Sequence, residues 1–231
     1  MSDRINAIFS SVYRRYDLMN HLFSLGVDRS WRRAAAVEAV RPGATMSVLD
    51  VATGTGDLAI AISRLAAKRR ASVSITAMDF NKDMLGAAMA KASRLGISSI
   101  KFEEGDALSM KYESNSFDVL VSAFALRNFD DLAKFSSEAL RVLKPGGRAV
   151  LVDMSLPDSR LGRYFFAGYS KLMKAAGSYV SKDAYSWLVY SISKFDKGKF
   201  MRILGDAGFE QLSIKSLRSG MAFMACGAKR S

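Results

Sequence analysis

Asp50, Gly54, Gly56 and Asp79 are the residues whose types and spacing point most directly to chemistry. In Val48-Leu49-Asp50-Val51-Ala52-Thr53-Gly54-Thr55-Gly56-Asp57-Leu58, a short apolar run reads as a buried strand. The glycines then open a helical pattern with Leu58, Ala61, Ile62 and Leu65 on one face. Gly54 and Gly56 let the backbone turn sharply and approach a ligand closely, and Asp57 is expected to cap the helix that follows. Strand, glycine loop and helix N-terminus together form a nucleotide-type site at the carboxyl end of a sheet strand.

Gly54, Gly56 and Ala59 fit G-x-G-x-x-G/A, so a dinucleotide is one reading. Against it, Asp50 places a carboxylate at the strand end, where a pyrophosphate is repelled and a cation is welcome. Asp79 closes the next apolar run, Val73–Met78, where a carboxylate can accept from a ribose hydroxyl pair. A nucleoside that carries positive charge and no phosphate satisfies both, and S-adenosylmethionine is that molecule. A glycine turn with no ligand is the plain alternative.

The elements that must position these residues follow from hydrophobic periodicity. Strands are predicted at 47–51, 73–78, 99–102, 117–122 and 148–153, and helices at 57–68, 81–95 and 131–143. Asp131 caps the last of these helices, and Lys144-Pro145-Gly146-Gly147 stops it. Alternating strand and helix imply an α/β fold, a parallel sheet with helices on both faces. Residues 1–45 read as a helical N-terminal cap, with Ile5, Ile8, Phe9 and Val12 at helical spacing and a second helix over Trp31–Val40. Residues 46–155 form the cofactor-binding core and 156–207 a helical insertion covering the substrate. In 208–231 an antiparallel edge hairpin joins Gln211–Ser216 to Met221–Gly227 through Leu217-Arg218-Ser219-Gly220.

The chain has 231 residues, enough for one domain with a proper core. No apolar run approaches the ~20 residues of a membrane span, and Met1-Ser2-Asp3-Arg4 begins no secretory signal, so a cytoplasmic protein is expected. One cysteine, Cys226, excludes an internal disulfide and a thiolate metal cluster. One histidine, His21, excludes His-rich metal sites, and its neighbours in sequence offer no orienting partner. The net charge of +12 is compatible with nucleic acid, with an anionic membrane surface, or with a merely solvated basic surface.

Three further stretches carry a resemblance. They are Tyr16-Asp17-Leu18-Met19-Asn20 with Leu22, Ser24, Gly26 and Trp31; Phe124-Ala125-Leu126-Arg127-Asn128; and Arg141 to Arg148 continuing to Val152-Asp153-Met154-Ser155. With the glycine loop, the chain resembles the class I S-adenosylmethionine-dependent methyltransferases, and more narrowly the ubiquinone/menaquinone biosynthesis C-methyltransferases, from about Ile5 to the C-terminus. It departs from that family at Ala225, usually histidine, at Met110-Lys111-Tyr112, usually Leu-Pro-Phe, and at Ala125, commonly glycine.

The resemblance implies a Rossmann-like, seven-stranded, mostly parallel sheet and S-adenosylmethionine as cofactor. Gly54, Thr55 and Gly56 would face its methionine part, Asp79 its ribose and Asp106-Ala107 its adenine, with Ser122 lying beneath. The implied acceptor is a prenylated quinol, met by an enzyme without a membrane span. That admits peripheral membrane contact and a homodimer, and expects no nucleic acid. A ring carbon attacks only once an adjacent hydroxyl loses its proton, so Arg127 is the candidate cation for a phenolate. Asn128 is the candidate for fixing a water or the ring oxygen. Arg127 anchoring a loop carboxylate is the plain alternative. Tyr164, Phe165, Phe166, Tyr169, Leu172, Met173 and Tyr179 among Arg160, Arg163, Lys171, Lys174 and Lys182 suit a membrane interface. They equally suit a closed substrate pocket. Methylation of oxygen, nitrogen or another carbon, and RNA modification, are the alternatives; no Asp/Asn-Pro-Pro-Tyr-type tetrapeptide follows the fourth strand to favour the last.

Overall fold

Strand β1 (Thr45–Val51) is apolar toward both faces: Val48, Leu49 and Val51 expose no surface, as a central parallel strand requires. The computed structural model describes residues 10, 16–217 and 220–231, less the side chains at 16, 18, 19, 22, 173–180 and 182. The stripe Ile5, Ile8, Phe9 and Val12, the turn residues Arg218 and Ser219, and the side chains of Met173, Lys174, Tyr179 and Lys182 therefore lie outside the described residues.

Seven strands form one sheet in the order β3-β2-β1-β4-β5-β7-β6. β2 (Ser72–Asp79), β3 (Ile100–Glu104), β4 (Phe117–Ala123) and β5 (Leu143–Met154) run parallel to β1, with Val48 opposite both Ile75 and Val119. β7 (Ala222–Ala228) lies antiparallel to β5 on one side and to β6 (Glu210–Ser216) on the other. The seven-stranded, mostly parallel sheet and its antiparallel C-terminal hairpin match the sequence expectation. Strand order reverses beside β1, where α/β sheets open a crevice at their carboxyl ends.

Helix α1 (Tyr16–Phe23) and helix α2 (Asp28–Ala39) precede the sheet; α2 begins three residues before the expected Trp31. Helix α3 (Asp57–Lys68) has the predicted bounds, but its N-cap is Gly56, in the left-handed region at φ 80°. Asp57 is instead the first helical residue, free to pair with Lys91 and Arg32. Helix α4 (Lys82–Arg94) is capped by Asn81, which accepts from the Met84 N–H at 3.0 Å, and α5 (Leu132–Val142) by Asp131 as expected. β5 starts five residues earlier than predicted, because Leu143 already pairs with Phe117 before a register shift.

Residues 156–207 divide into two parts. Helix α6 (Arg160–Lys194) is broken at Ser181, whose backbone is extended. Helix α7 (Lys197–Asp206) buries Phe200 and Leu204 completely in the same cluster as Phe135, Ala139 and Phe223. It is therefore a layer of the core. Among the described residues no helix is long and apolar enough to cross a membrane.

Candidate active site

At the carboxyl ends of β1, β2 and β4 the strands open into a cleft lined mostly by apolar groups with a few polar ones, the makeup of a small-molecule site. Gly54, Asp79, Asp106, Ala107 and Asn128 from the predicted set line it, with Phe80, Asn81, Met84 and Phe124. Two lining residues without glycine's freedom, Ala52 and Phe124, take positive φ of 54° and 65°. Each costs on the order of 1–3 kcal/mol, strain of a kind that gathers at ligand sites.

Asp79 organises the cleft. Its carboxylate accepts from the Gly54 N–H at 2.7 Å and the Asn81 N–H at 2.9 Å, tying the glycine loop to the end of β2. Burial raises its pKa, against the N–H groups of Asn81, Gly54 and Phe80. Its two oxygens have more acceptor sites than these N–H groups fill, the requirement for gripping paired hydroxyls. Asp106 accepts from the Leu108 N–H at 2.9 Å through one oxygen, so it is a turn residue whose other oxygen remains available. Met78 and Met84 offer polarisable apolar walls, and Phe80 an aromatic face at the rim.

Behind the loop, Asp50 accepts from the Thr53 hydroxyl at 2.7 Å, while its buried Oδ1 has no hydrogen-bond partner. Burial, with the like charge of Asp79 adding, raises its pKa to about 7. Asp50 does not line the cleft; it supports the glycine loop from behind through Thr53. With the Gly54 approach and the free acceptors of Asp79, the residues present fit S-adenosylmethionine.

Four predicted residues are placed elsewhere. The Thr55 hydroxyl turns away from the cleft and donates to Asp17 of α1 at 2.5 Å. Gly56 is filled in behind by α4, where an added Cβ would meet that of Ala88 at 3.1 Å. Ser122 is wholly buried and donates to the Val51 carbonyl at 2.8 Å, a tie between β4 and β1. Arg127 does not line the cleft; its guanidinium is paired with Asp153 of β5, both buried, and its backbone N–H donates to the same carboxylate. Arg127 is thus paired with a carboxylate of strand β5, where a loop carboxylate was the plain alternative.

Other partners were invisible in the sequence. His21, expected to lack an orienting group, lies 3.1 Å from Asp28, whose other oxygen binds Arg32. Burial pushes the Asp28 carboxyl up, but Arg32 and the Ser24 hydroxyl outweigh it and hold the pKa low. Arg32 lies 4.9 Å from the Phe124 ring centroid and 3.7 Å from Asp57; Lys91 joins Asp57 to Asp17. The chain of charges runs from α1 and α2 to the glycine loop.

Comparison with known proteins decides the family. A model of the ubiE/COQ5 methyltransferase family matches residues 1–229. The chain belongs to that family. Membership makes it an S-adenosylmethionine-dependent methyltransferase. Among its relatives, a demethylmenaquinone methyltransferase of Deinococcus radiodurans is 41% identical, covering 98% of this chain and 92% of the relative. One from Bacteroides fragilis is 35% identical over 99% and 93%. A ubiquinone/menaquinone biosynthesis C-methyltransferase of Rickettsia bellii is 35% identical over 94% and 89%. In fold, the chain resembles the crystal structure of a SAM-dependent methyltransferase from Aquifex aeolicus, with a TM-score of 0.66 and 17% identity over 92% and 97% of the two chains.

Two substitutions test this arrangement. Asp79→Ala removes an acceptor of charge-assisted hydrogen bonds, each worth about 1.5–3 kcal/mol. Calorimetry should show S-adenosylmethionine affinity lower by roughly one to several powers of ten. For Asp50, a carboxyl raised to about 7 binds a proton in the folded state that the unfolded state, near 3.8, releases. Its contribution to stability is complete below pH 3.8 and is lost as pH rises to 7. Urea titrations without ligand should therefore find Asp50→Asn more stable than wild type at pH 8, with the advantage shrinking toward pH 5.

Proposed function

We propose that the chain methylates a ring carbon of a prenylated hydroquinone, demethylmenaquinol or a close relative of it. The observation that carries this reading is a cleft whose ribose-type carboxylate, Asp79, and whose amide, Asn128, share one cavity in a chain of this family. The curated names of the relatives support the same acceptor.

In this reading Gly54, Asp79, Asp106 and Ala107 hold S-adenosylmethionine, which when bound supplies a methyl carbon attached to a sulfonium leaving group. The leaving group needs no protonation, so the chain's work is holding the acceptor carbon in line and close, which is worth roughly 7–11 kcal/mol. The acceptor hydroxyl, a phenol with pKa about 10, must lose its proton for the ring carbon to attack. The carbon that gains the methyl then loses its own hydrogen as a proton, and aromaticity returns. With Arg127 neutralised by Asp153, Asn128 is the polar side chain of the 3₁₀ turn (Leu126–Asn128) that reaches the cleft. Arg127 serves by fixing that turn to β5 from both its guanidinium and its backbone N–H.

A prenylated acceptor resides in lipid, and α6 carries features suited to collecting it. Leu161, Tyr164, Phe165 and Leu172 are 80%, 72%, 65% and 62% exposed and recur at helical spacing. Arg160, Arg163 and Lys171 are exposed on the same helix. On its inner side the Tyr169 hydroxyl donates to the Phe23 carbonyl at 2.7 Å, fastening α6 to α1. Basic residues near an anionic surface contribute about 1 kcal/mol each.

The reaction is tested with the purified protein, tritiated S-adenosylmethionine and a membrane lipid extract, followed by chromatography of the labelled products. Label is expected in a prenylated quinone; none in lipid overturns the reading. The membrane contact is read separately by flotation. Binding should need anionic vesicles, fade with rising salt and fall when Arg160 and Lys171 become glutamate. A wild type that stays in the soluble fraction at low salt sinks that contact alone.

A further inference from the structure

Helix α6 is broken at Ser181, and in its second arm Trp187 meets the 3₁₀ turn. Its indole Nε1–H donates to Asn128 Oδ1 at 3.0 Å, across 59 residues of sequence. An indole N–H can only donate, so the Asn128 atom it meets must be the carbonyl oxygen. The amide cannot flip without placing two donors face to face. Its Nδ2 has a single weak contact, to the Phe124 carbonyl at 3.5 Å, leaving the second N–H with no partner among the described residues. Asn128 itself is buried and lines the cleft.

We infer that Trp187 is a positioning residue that locks the Asn128 amide as a hydrogen-bond donor toward the acceptor's ring oxygen, so that the site favours a phenolate over a phenol. A neutral hydroxyl can satisfy an amide carbonyl by donating, whereas a phenolate can only accept. With the carbonyl occupied by the indole, the amide offers only N–H. Arg127 contributes no competing charge, because Asp153 holds it. The arrangement gives the ionised acceptor a dedicated partner while leaving cofactor residues untouched. It rests on the hydroquinone reading above.

The experiment uses the full chain, with 2-prenyl-1,4-naphthohydroquinone as acceptor and kcat measured from pH 6 to 10. Trp187→Phe keeps the ring and removes the donor. If the locked amide stabilises the bound phenolate by one hydrogen bond, kcat on the acid side should fall roughly three- to tenfold. The loss should vanish at high pH, with the acid limb displaced upward by about half to one unit. S-adenosylmethionine affinity should stay at the wild-type value. Asn128→Asp, which can still accept from the indole but offers no N–H, should lose turnover at every pH with cofactor affinity retained. It decides the matter should Trp187→Phe fail to fold. Unchanged kcat in either variant overturns the inference, as does a loss in Trp187→Phe that is equal at all pH values. A wild type that transfers no methyl to the hydroquinone overturns the functional reading and this inference with it; an active wild type beside an indifferent Trp187→Phe overturns this inference alone.

Discussion

The bond from the Gly54 N–H to Asp79 is the constraint on which the cleft depends. It joins the loop after β1 to the end of β2, and neighbouring contacts repeat the join: Thr53 N–H to the Met78 carbonyl at 2.9 Å, and Gly105 N–H to the Asp79 carbonyl at 3.0 Å. The three loops that must surround a nucleoside are thus stitched through one strand end. A carboxylate that holds backbone in the folded protein is already oriented when a ribose arrives, so little ordering remains to be done.

Charge around the loop is arranged in alternation. Asp28, Arg32, Asp57, Lys91 and Asp17 link the first two helices to α3 and α4 and end on the Thr55 hydroxyl. Removing one member would leave a partly buried partner uncompensated, which costs more than the pair contributes. Arg32 also faces the strained Phe124, so the same guanidinium supports both the loop after β1 and the turn after β4. The N-terminal helices are therefore tied by charge to the loops around the cleft.

What the sequence made legible was local. The strand over 47–51, the helix over 57–68 and the Asp131 cap of α5 follow from periodicity and short-range hydrogen bonding, and the structure reproduces them. Asp79 ends β2 and Asp106 follows β3 by two residues, so both could be placed at the carboxyl edge of the sheet whatever their side-chain rotamers. Thr55, Ser122 and Arg127 could not, because their directions depend on Asp17, Val51 and Asp153, partners brought near by the sheet. Trp187 was missed for the same reason; no pattern within a helix announces a contact 59 residues back. His21 is the exception, since Asp28 lies only seven positions on, across a turn that periodicity does not describe.

The place of β7 in the sheet has a consequence for how the molecule is made. β6 touches the sheet only through β7, which is inserted between it and β5 although it follows both in the chain. During synthesis, β6 has no ladder to join until β7 has emerged, and β5 keeps an open edge of buried, apolar residues for the same interval. Parallel sheets already assemble slowly because their contacts are distant in sequence. Here the final hairpin closes the exposed edge, so the nascent chain is most prone to association just before its last strand appears.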